Sequence, residues 1–256
     1  MPSQVPTLPD DPSLEAQARH QRYAALARAG RRFGATHVAT AHHADDAVET
    51  ALLNWTRGTA ARGLSTLLGA SEAGETVPGA DDLEILRPLV ETPRSSIDEY
   101  ARCRGLRWRE DPSNNERSAA RNRLRRDVIP ALRREAESLE PLVRTLGHLH
   151  ADAAAIEERA SRLVHSPDSG ESRTSRRFST AELAQSSKAV GTAALRIGAR
   201  ELPGPVGWRH EQLERAMQMV EAAHEEGEQN RLSLRGGRLV VGGGSAVLHS
   251  THLRGG

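Results

Sequence analysis

Near the start of the chain, apolar residues first recur at the spacing of a helix and then form a short continuous apolar segment. A stripe from Leu14 to Ala29 predicts an amphipathic helix, which Ser13 can cap and Gly34 is placed to end. The short apolar run at 36–41 is bounded by this glycine and by His42, so it predicts a buried strand.

A second helical stripe begins near Asp45 and stops at Arg57-Gly58. Its apolar positions are Val48, Ala51, Leu52 and Trp55. This spacing predicts a helix that buries one face immediately after the predicted strand.

Further along, the pattern predicts another strand and another helix. Residues 69–82 read as an exposed loop, and 83–89 predict a strand. Thr92-Pro93 predicts the start of a helix that stops at Gly105. Helices alternating with short strands predict an α/β fold with a parallel sheet.

The pattern changes after residue 119. Residues 119–163 are predicted to be helical with an interruption near Pro130, and 165–177 are predicted to be polar and mobile. Short helices follow, including 209–225, and the end predicts small strands around glycine turns. We therefore expect two domains, 1–130 and 131–256, of which the second is smaller, mostly helical and ends in short strands.

Composition narrows the class of protein. The chain has 256 residues, a single cysteine (Cys103) and 3% aromatic residues. One cysteine excludes an internal disulfide framework and a cysteine-held cluster. The first residues lack the pattern of a secretory signal, and no apolar run approaches the ~20 residues of a membrane span. We expect a cytoplasmic protein without a membrane partner.

Basic residues cluster in the middle of the chain. Seven arginines and one acid, Asp127, lie between Arg117 and Arg134. Such a cluster is compatible with a phosphate-binding surface and equally with a solvated helix face. Arg121 and Arg125 are four residues apart, so they share a helix face and suit a phosphate or a nucleotide, or else pair with Asp127 and Glu135.

The strongest candidate site is the segment ATAHHADDAVET at residues 39–50. His42 and His43 follow the predicted strand, at the sheet edge where α/β proteins bind ligands. Asp46 and Glu49 share one face of the next helix. Helix capping would explain the two aspartates but not the paired histidines or Glu49.

Two other interpretations of short motifs are weaker. Adjacent histidines on a strand point to opposite faces, which disfavours a transition-metal site. The GGGS segment at 242–245 lacks a following helix, so we expect a hairpin turn rather than a phosphate loop.

Six motifs in order along 13–134 together make the chain resemble the tRNA(Ile)-lysidine synthetase family of the N-type ATP pyrophosphatase (PP-loop) superfamily. They are Ser13-Leu14-Glu15 with Arg19 and Arg22-Tyr23; His42-His43 with Asp46, Glu49 and Thr50; Arg57-Gly58-Thr59 with Gly63-Leu64; Arg87-Pro88-Leu89; Trp108 with Glu110-Asp111 and Ser113-Asn114; and Arg121-Asn122 with Arg125. Residues 1–130 then correspond to the C-terminal portion of a Rossmann-like PP-loop ATPase domain, and 131–256 to a helical tRNA-binding domain.

The resemblance implies a ligase that uses ATP to adenylate cytidine 34 of tRNA(Ile) with a CAU anticodon, and then joins L-lysine to its C2 atom. The implied cofactors are ATP and Mg²⁺, and a homodimer is among the expectations. The implied catalytic residues are His43, Asp46, Glu49, Arg121 and Arg125, with Asp46 and Glu49 also as Mg²⁺ ligands. ATP or lysine would contact Arg19, Arg22, His42, Asp45, Arg57 and Asn122. The tRNA would contact Arg117, Arg123, Arg126, Arg133 and Arg134. Which of Glu49, Asp46 and His43 acts as the general base stays open.

The sequence departs from the family pattern in two places. Ala60 stands where the family usually has glycine, and the Ser-Gly-Gly-x-Asp-Ser loop that holds ATP phosphates does not occur. We expect that the gene start lies further upstream, that the piece is truncated, or that the protein is a natural remnant. On its own the chain is then expected to bind ATP weakly and to release no AMP in response to lysine.

Two rival classes follow from the same residues. One is a non-catalytic tRNA-binding remnant or subunit. The other is a tRNA thiolase of the same superfamily, which the single cysteine disfavours.

Overall fold

The structure is a computed structural model that describes residues 14–69, 71–72, 83–109, 120–165, 174–204 and 206–251. The chain divides into two compact units, Met1–Ala151 and Asp152–Gly256. Among the described residues, no helix is both long and apolar enough to cross a bilayer.

Unit 1 begins with alternating helices and short strands. Its first elements are α1 (Leu14–Arg32), β1 (His37–Ala39), α2 (Ala44–Trp55), α3 (Ala61–Leu64), β2 (Ser71–Glu72), β3 (Glu84–Leu86) and α4 (Arg94–Cys103). Strands β1 and β3 are parallel with Val38 opposite Ile85, and β2 is antiparallel to β3. The predicted α/β class with a parallel sheet is confirmed.

The strand predicted at 36–41 is shorter and more exposed than the sequence suggested. In β1 only Val38 is half-buried, whereas His37 and Ala39 are exposed. The described sheet has the order β1-β3-β2, so β1 is an edge strand, and Val38 contributes to a small core with Tyr23 and Ile85. The prediction of a buried strand was wrong because an apolar run does not reveal whether a strand lies at an edge.

Helix α2 has the predicted length, but its predicted apolar face is not buried along the whole helix. Ala44, Ala47, Val48 and Ala51 are buried, and Gly58 reverses the chain with a positive φ of 70°. Trp55, placed in the apolar stripe, is 71% exposed. It is the last residue of α2, beyond the positions that pack against neighbouring helices.

The rest of unit 1 is helical. It comprises α5 (Ala120–Arg123), a π-helical turn (Leu124–Val128), α6 (Ile129–Ala136) and the start of α7 (Glu140–Ser161). The interruption predicted near Pro130 takes the form of the π-helical turn, in which the Ile129 N–H donates to the Leu124 carbonyl five residues back. Since proline has no N–H, this wider turn accommodates Pro130 without ending the helix.

Helices α6 and α7 pack on α2. Ile129, Leu139 and Val143 form a core with Ala44 and Val48. This packing places residues after 130 in unit 1, and the division between the two compact units lies inside α7.

Unit 2 combines the end of α7 and further helices with an antiparallel sheet. Its elements after α7 are β4 (Ser175–Ser179), α8 (Thr180–Gln185), α9 (Lys188–Arg200), α10 (His210–Glu225), β5 (Asn230–Leu234), β6 (Gly237–Gly242) and β7 (Ser245–Ser250). The sheet order is β4-β7-β6-β5, with every neighbouring pair antiparallel. The predicted short helices and terminal strands are confirmed.

Two local predictions in unit 2 have different outcomes. Gly243 and Gly244 adopt positive φ and join β6 to β7, which confirms the hairpin turn. Ser175, Arg176 and Arg177, predicted to belong to a mobile polar segment, form the first three of the five residues of β4. Phe178 lies in the core between helices and sheet, and it anchors this strand although the preceding residues are polar.

Candidate active site

The acidic start of α2 lies just after β1, as the sequence predicted. His43 is the residue before the helix, and its backbone N–H donates to Asp46 Oδ2 at 3.1 Å. The same Asp46 oxygen lies 3.4 Å from His43 Nε2. Asp46 therefore caps the helix and also faces the imidazole of His43.

The two histidines have different partners. Thr40 Oγ1 lies 2.9 Å from His42 Nδ1, whereas His43 lies against the aspartates. The part of the chain that the structure describes contains no group of three or more histidine, cysteine, aspartate or glutamate side chains placed to hold a metal ion.

Glu49 is the buried centre of the site. Its side chain is 1% exposed, and its two carboxylate oxygens accept hydrogen bonds from Arg125, Nε to Oε1 at 2.6 Å and Nη2 to Oε2 at 2.9 Å. This is a bidentate arginine–carboxylate pair, the geometry that the planar guanidinium favours. Arg125 projects from the π-helical turn, a type of irregularity that is frequent at functional sites.

Burial and ion pairing have opposite effects on the pKa of Glu49. Burial raises the pKa of the Glu49 carboxyl, and the hydrogen bond and charge of Arg125 counteract part of that rise. The hydrogen bond to Glu49 raises the pKa of Arg125. The guanidinium thus stays charged, while the buried carboxylate depends on it to remain ionised.

A second arginine completes the cluster. Arg121 Nη2 donates to Thr50 Oγ1 at 2.9 Å, and its Nε lies 3.6 Å from Glu49 Oε2. Arg125 Nη2 lies 3.6 Å from Asp46 Oδ1. The structure therefore brings together all five residues that the sequence predicted as catalytic, within one group of carboxylates, guanidiniums and an imidazole.

Asp45 has partners that local sequence reasoning missed. Its Oδ2 accepts the backbone N–H of Arg94 at 3.0 Å, the first residue of α4, and its Oδ1 pairs with Arg133. Helix α4 thus begins one residue later than Thr92-Pro93 suggested and is capped from a distance. These contacts make Asp45 a link between α2, α4 and α6, and they occupy Arg133, which had been predicted to bind tRNA.

The remaining predicted residues lie outside this cluster or outside the described side chains. Arg22 is exposed, with its guanidinium 5.7 Å from the Tyr23 ring centre. Four other arginines among them are also exposed, namely Arg57, Arg123, Arg126 and Arg134, whereas Asn122 is half-buried. The side chain of Arg19 and all of Arg117 lie outside the described part of the chain, as do residues 110–119 of the motif series.

The donor set fits Mg²⁺ only in part. Magnesium prefers several carboxylate or phosphate oxygens with room for water. Both Glu49 oxygens are taken by Arg125, and Asp46 Oδ2 is taken by the His43 N–H. Only Asp46 Oδ1 remains as a ligand, so the described residues do not form a magnesium site by themselves.

Comparison with known proteins identifies a family for the first half of the chain. The family model of the PP-loop domain matches residues 4–132. The tRNA(Ile)-lysidine synthase of Ralstonia nicotianae is 41% identical over 145 residues, which cover 57% of this chain and 30% of the relative. That of Burkholderia mallei is 39% identical over 154 residues, with the same two coverages. The tRNA(Ile)-lysidine synthase of Salinispora arenicola is 36% identical over 204 residues, 77% of this chain and 57% of the relative.

These alignments span part of each relative. The first two matches cover less than a third of the relatives' own length, and the Salinispora match covers little more than half. The relatives therefore contain a large part that has no counterpart in the alignment.

Proposed function

Since this chain belongs to the family of PP-loop domains, we propose that it supplies the acidic and arginine side of the active site of an ATP-dependent tRNA-modifying ligase. The reaction would join L-lysine to C2 of cytidine 34 in tRNA(Ile) with a CAU anticodon. The observation that carries this proposal is the cluster of Asp46, Glu49, Arg121 and Arg125 after β1. Because the proposed substrate is a tRNA, we propose that the protein acts in the cytoplasm.

The first half of the proposed reaction involves phosphates. The C2 carbonyl oxygen of the cytidine attacks the α-phosphate of ATP, and pyrophosphate leaves with the negative charge. Arg125 is 39% exposed, and its Nη1 has no hydrogen-bond acceptor among the described residues. Glu49 holds the other edge of this guanidinium, so Arg125 is oriented to present Nη1 to a phosphate oxygen.

In the second half of the proposed reaction, the positively charged side chain of lysine enters the same site. The ε-amino nitrogen of lysine forms a bond to C2, and the bond from C2 to the oxygen carried by AMP breaks. Asp46 Oδ1 lies 3.6 Å from Arg125, longer than a hydrogen bond, so it can accept the incoming ammonium. We propose that Asp46 binds the lysine side chain and that Glu49 positions Arg125.

A base must take a proton from the lysine ammonium before the amine attacks. Glu49 is poorly suited because both its oxygens are bonded to Arg125. His43 Nδ1 lies 3.8 Å from Asp45 Oδ2, beyond hydrogen-bond distance, and its Nε2 lies 3.4 Å from Asp46 Oδ2. We propose His43 as the base, with Asp46 holding the imidazole in place.

The contacts of Glu49 and Asp45 also favour one alternative, a tRNA-binding protein without catalysis. The bidentate pair with Arg125 and the cap of α4 give these acids structural roles that need no substrate. In this alternative the arginines of α5 and α6 would still bind RNA.

A nucleoside assay separates the two proposals. The chain is fused to the part of the Salinispora arenicola relative that lies outside their alignment. The fusion is incubated with ATP, lysine and a tRNA(Ile) transcript with a CAU anticodon. The digested tRNA should then contain a cytidine increased in mass by lysine less one water. The controls omit ATP, omit lysine or use a transcript with uridine at position 34, and each should give no product. Retained tRNA binding without this nucleoside would favour the alternative.

A further inference from the structure

The four-stranded sheet of unit 2 has one face buried and one open. Leu232, Leu239 and Leu248 lie in one row across β5, β6 and β7 and pack into the core with the helices. Because side chains alternate along a strand, the neighbouring positions point to the other face.

The register fixes which side chains share the open face. Arg177 pairs with Val247, Val247 with Val240, and Val240 with Arg231, so these residues form one row across all four strands. With neighbouring strands ~4.8 Å apart, the row is about 14 Å long and carries an arginine at each end. The two central valines are half-buried, and Arg231 is exposed.

The next row adds a third arginine. Ser175, His249, Arg238 and Ser233 pair in succession across the same strands. Arg238 is exposed and lies diagonally opposite Arg231, with their α-carbons about 7–8 Å apart. The sequences of β4, β5, β6 and β7 contain four arginines and no aspartate or glutamate.

An open groove continues this face at the edge of the sheet. Arg177, Ser179 and Ser245 line it together with His165 and the glycine turn that joins β6 to β7. Hydroxyl groups and an arginine in one groove suit the oxygen atoms of a phosphodiester.

We propose that this open face, centred on Arg231 and Arg238, binds the sugar–phosphate backbone of RNA. The inference rests on the proposed function, which makes a tRNA the substrate. Charge complementarity selects the partner, because Arg231 and Arg238 are exposed on strands whose sequences contain no acid, and their guanidiniums attract a polyanion. Apart from the half-buried His249, the open rows carry no aromatic side chain, so the face lacks the series of stacking platforms that unpaired bases require. It therefore fits paired RNA recognised through its backbone.

The test measures binding of the whole chain to an unmodified tRNA(Ile) transcript at several salt concentrations. The double substitution Arg231→Thr with Arg238→Thr removes two charges and keeps residues that suit a strand. The slope of log affinity against log salt should fall by about 1.4–1.8 in magnitude, 0.7–0.9 for each lost phosphate contact. Arg231→Lys with Arg238→Lys keeps the charge and should keep the slope.

A matched control removes two exposed arginines from helices of the same unit, Arg159→Gln with Arg215→Gln. This control should bind tRNA with the parent slope, and thermal melts should show that every variant is folded. An unchanged slope for the threonine variant, or an equal fall in the helix control, would overturn the inference. If the inference fails in this way but lysine incorporation persists, the proposed function is retained and only the role of this surface is rejected. If the parent chain binds no tRNA, the proposed function itself is rejected.

Discussion

Removing Arg125 should destabilise the protein far more than neutralising Glu49. In Arg125→Met, the carboxylate of Glu49 stays buried without its bidentate partner. Breaking a buried ion pair in this way costs about 3–5 kcal/mol, and we expect about 2–3 kcal/mol here because Arg125 is 39% exposed and Arg121 remains 3.6 Å from Glu49. For a chain of this size that corresponds to a melting temperature lower by about 4–12 °C.

Glu49→Gln should behave differently. Glutamine resembles the protonated carboxyl, and burial already raises the pKa of Glu49. Arg125 can then be solvated through its exposed edge while it keeps one neutral hydrogen bond. We expect a loss of about 1 kcal/mol or less. In the double variant most of the cost of Arg125→Met should disappear, because no buried charge is left without a partner.

The pH dependence has a definite sign. A carboxyl whose pKa is higher in the folded than in the unfolded protein contributes stability at low pH, and this contribution is lost as the pH rises from the ordinary carboxyl range through the folded pKa. Without Arg125 the pKa of Glu49 should rise further. The difference in melting temperature between parent and Arg125→Met should therefore shrink as the pH is lowered from 7.5 towards 5.

Thermal melts of the parent, the two single variants and the double variant over this pH range test the reasoning. Arg134→Ala, at an exposed position, serves as a control with little expected change. Equal destabilisation by Arg125→Met and Glu49→Gln at every pH would refute the argument that burial of the Glu49 charge decides the energetics.

Two further predictions concern the link between α2, α4 and α6. Asp45→Ala should lower the free energy of unfolding by about 1–2 kcal/mol in a denaturant titration, since it removes the cap of α4 and the partner of Arg133; Asp98→Ala, which removes only an exposed pair on α4, should cost less than about 0.5 kcal/mol. Arg133→Ala should lower the melting temperature, whereas Arg134→Ala should leave it unchanged and reduce the salt slope of tRNA binding by about 1. If the two arginine substitutions changed the melting temperature and the salt slope equally, the assignment of a structural role to Arg133 and a tRNA-binding role to Arg134 would be contradicted.

The order of elements around the site was predictable because it depends on local patterns. The apolar stripe of α2, the glycine after it and the alternation of helix and strand are all visible within short windows. The placement of His43 just before α2 and of Asp46 and Glu49 on α2, beyond the carboxyl end of β1, followed from that order. The rule that ligands bind at the carboxyl ends of parallel strands then indicated this region as a site. Burial of individual residues, such as the exposed Trp55, depends on neighbours that are distant in sequence.

The pairing inside the site could not be predicted for the same reason. Arg125 and Glu49 are 76 residues apart, and Arg94 and Asp45 are 49 apart. Nothing in either local segment indicates that Asp45 caps a helix other than its own or that Arg133 pairs with it. The sequence showed that arginines cluster in this segment. Which of them pair with buried acids and which stay exposed depends on how α6 packs on α2, and the sequence did not show that.

The central claim is that Asp46 serves catalysis rather than only helix capping. Asp46→Asn keeps an oxygen that can accept the His43 N–H, so the cap is preserved while the charge is lost. The decisive measurement is the rate of lysine incorporation by this variant in the fusion described above, with the tRNA dissociation constant measured on the same preparation. We predict that incorporation is abolished while tRNA affinity and melting temperature stay near those of the parent. Incorporation at the parent rate would contradict the account and leave Asp46 a structural residue.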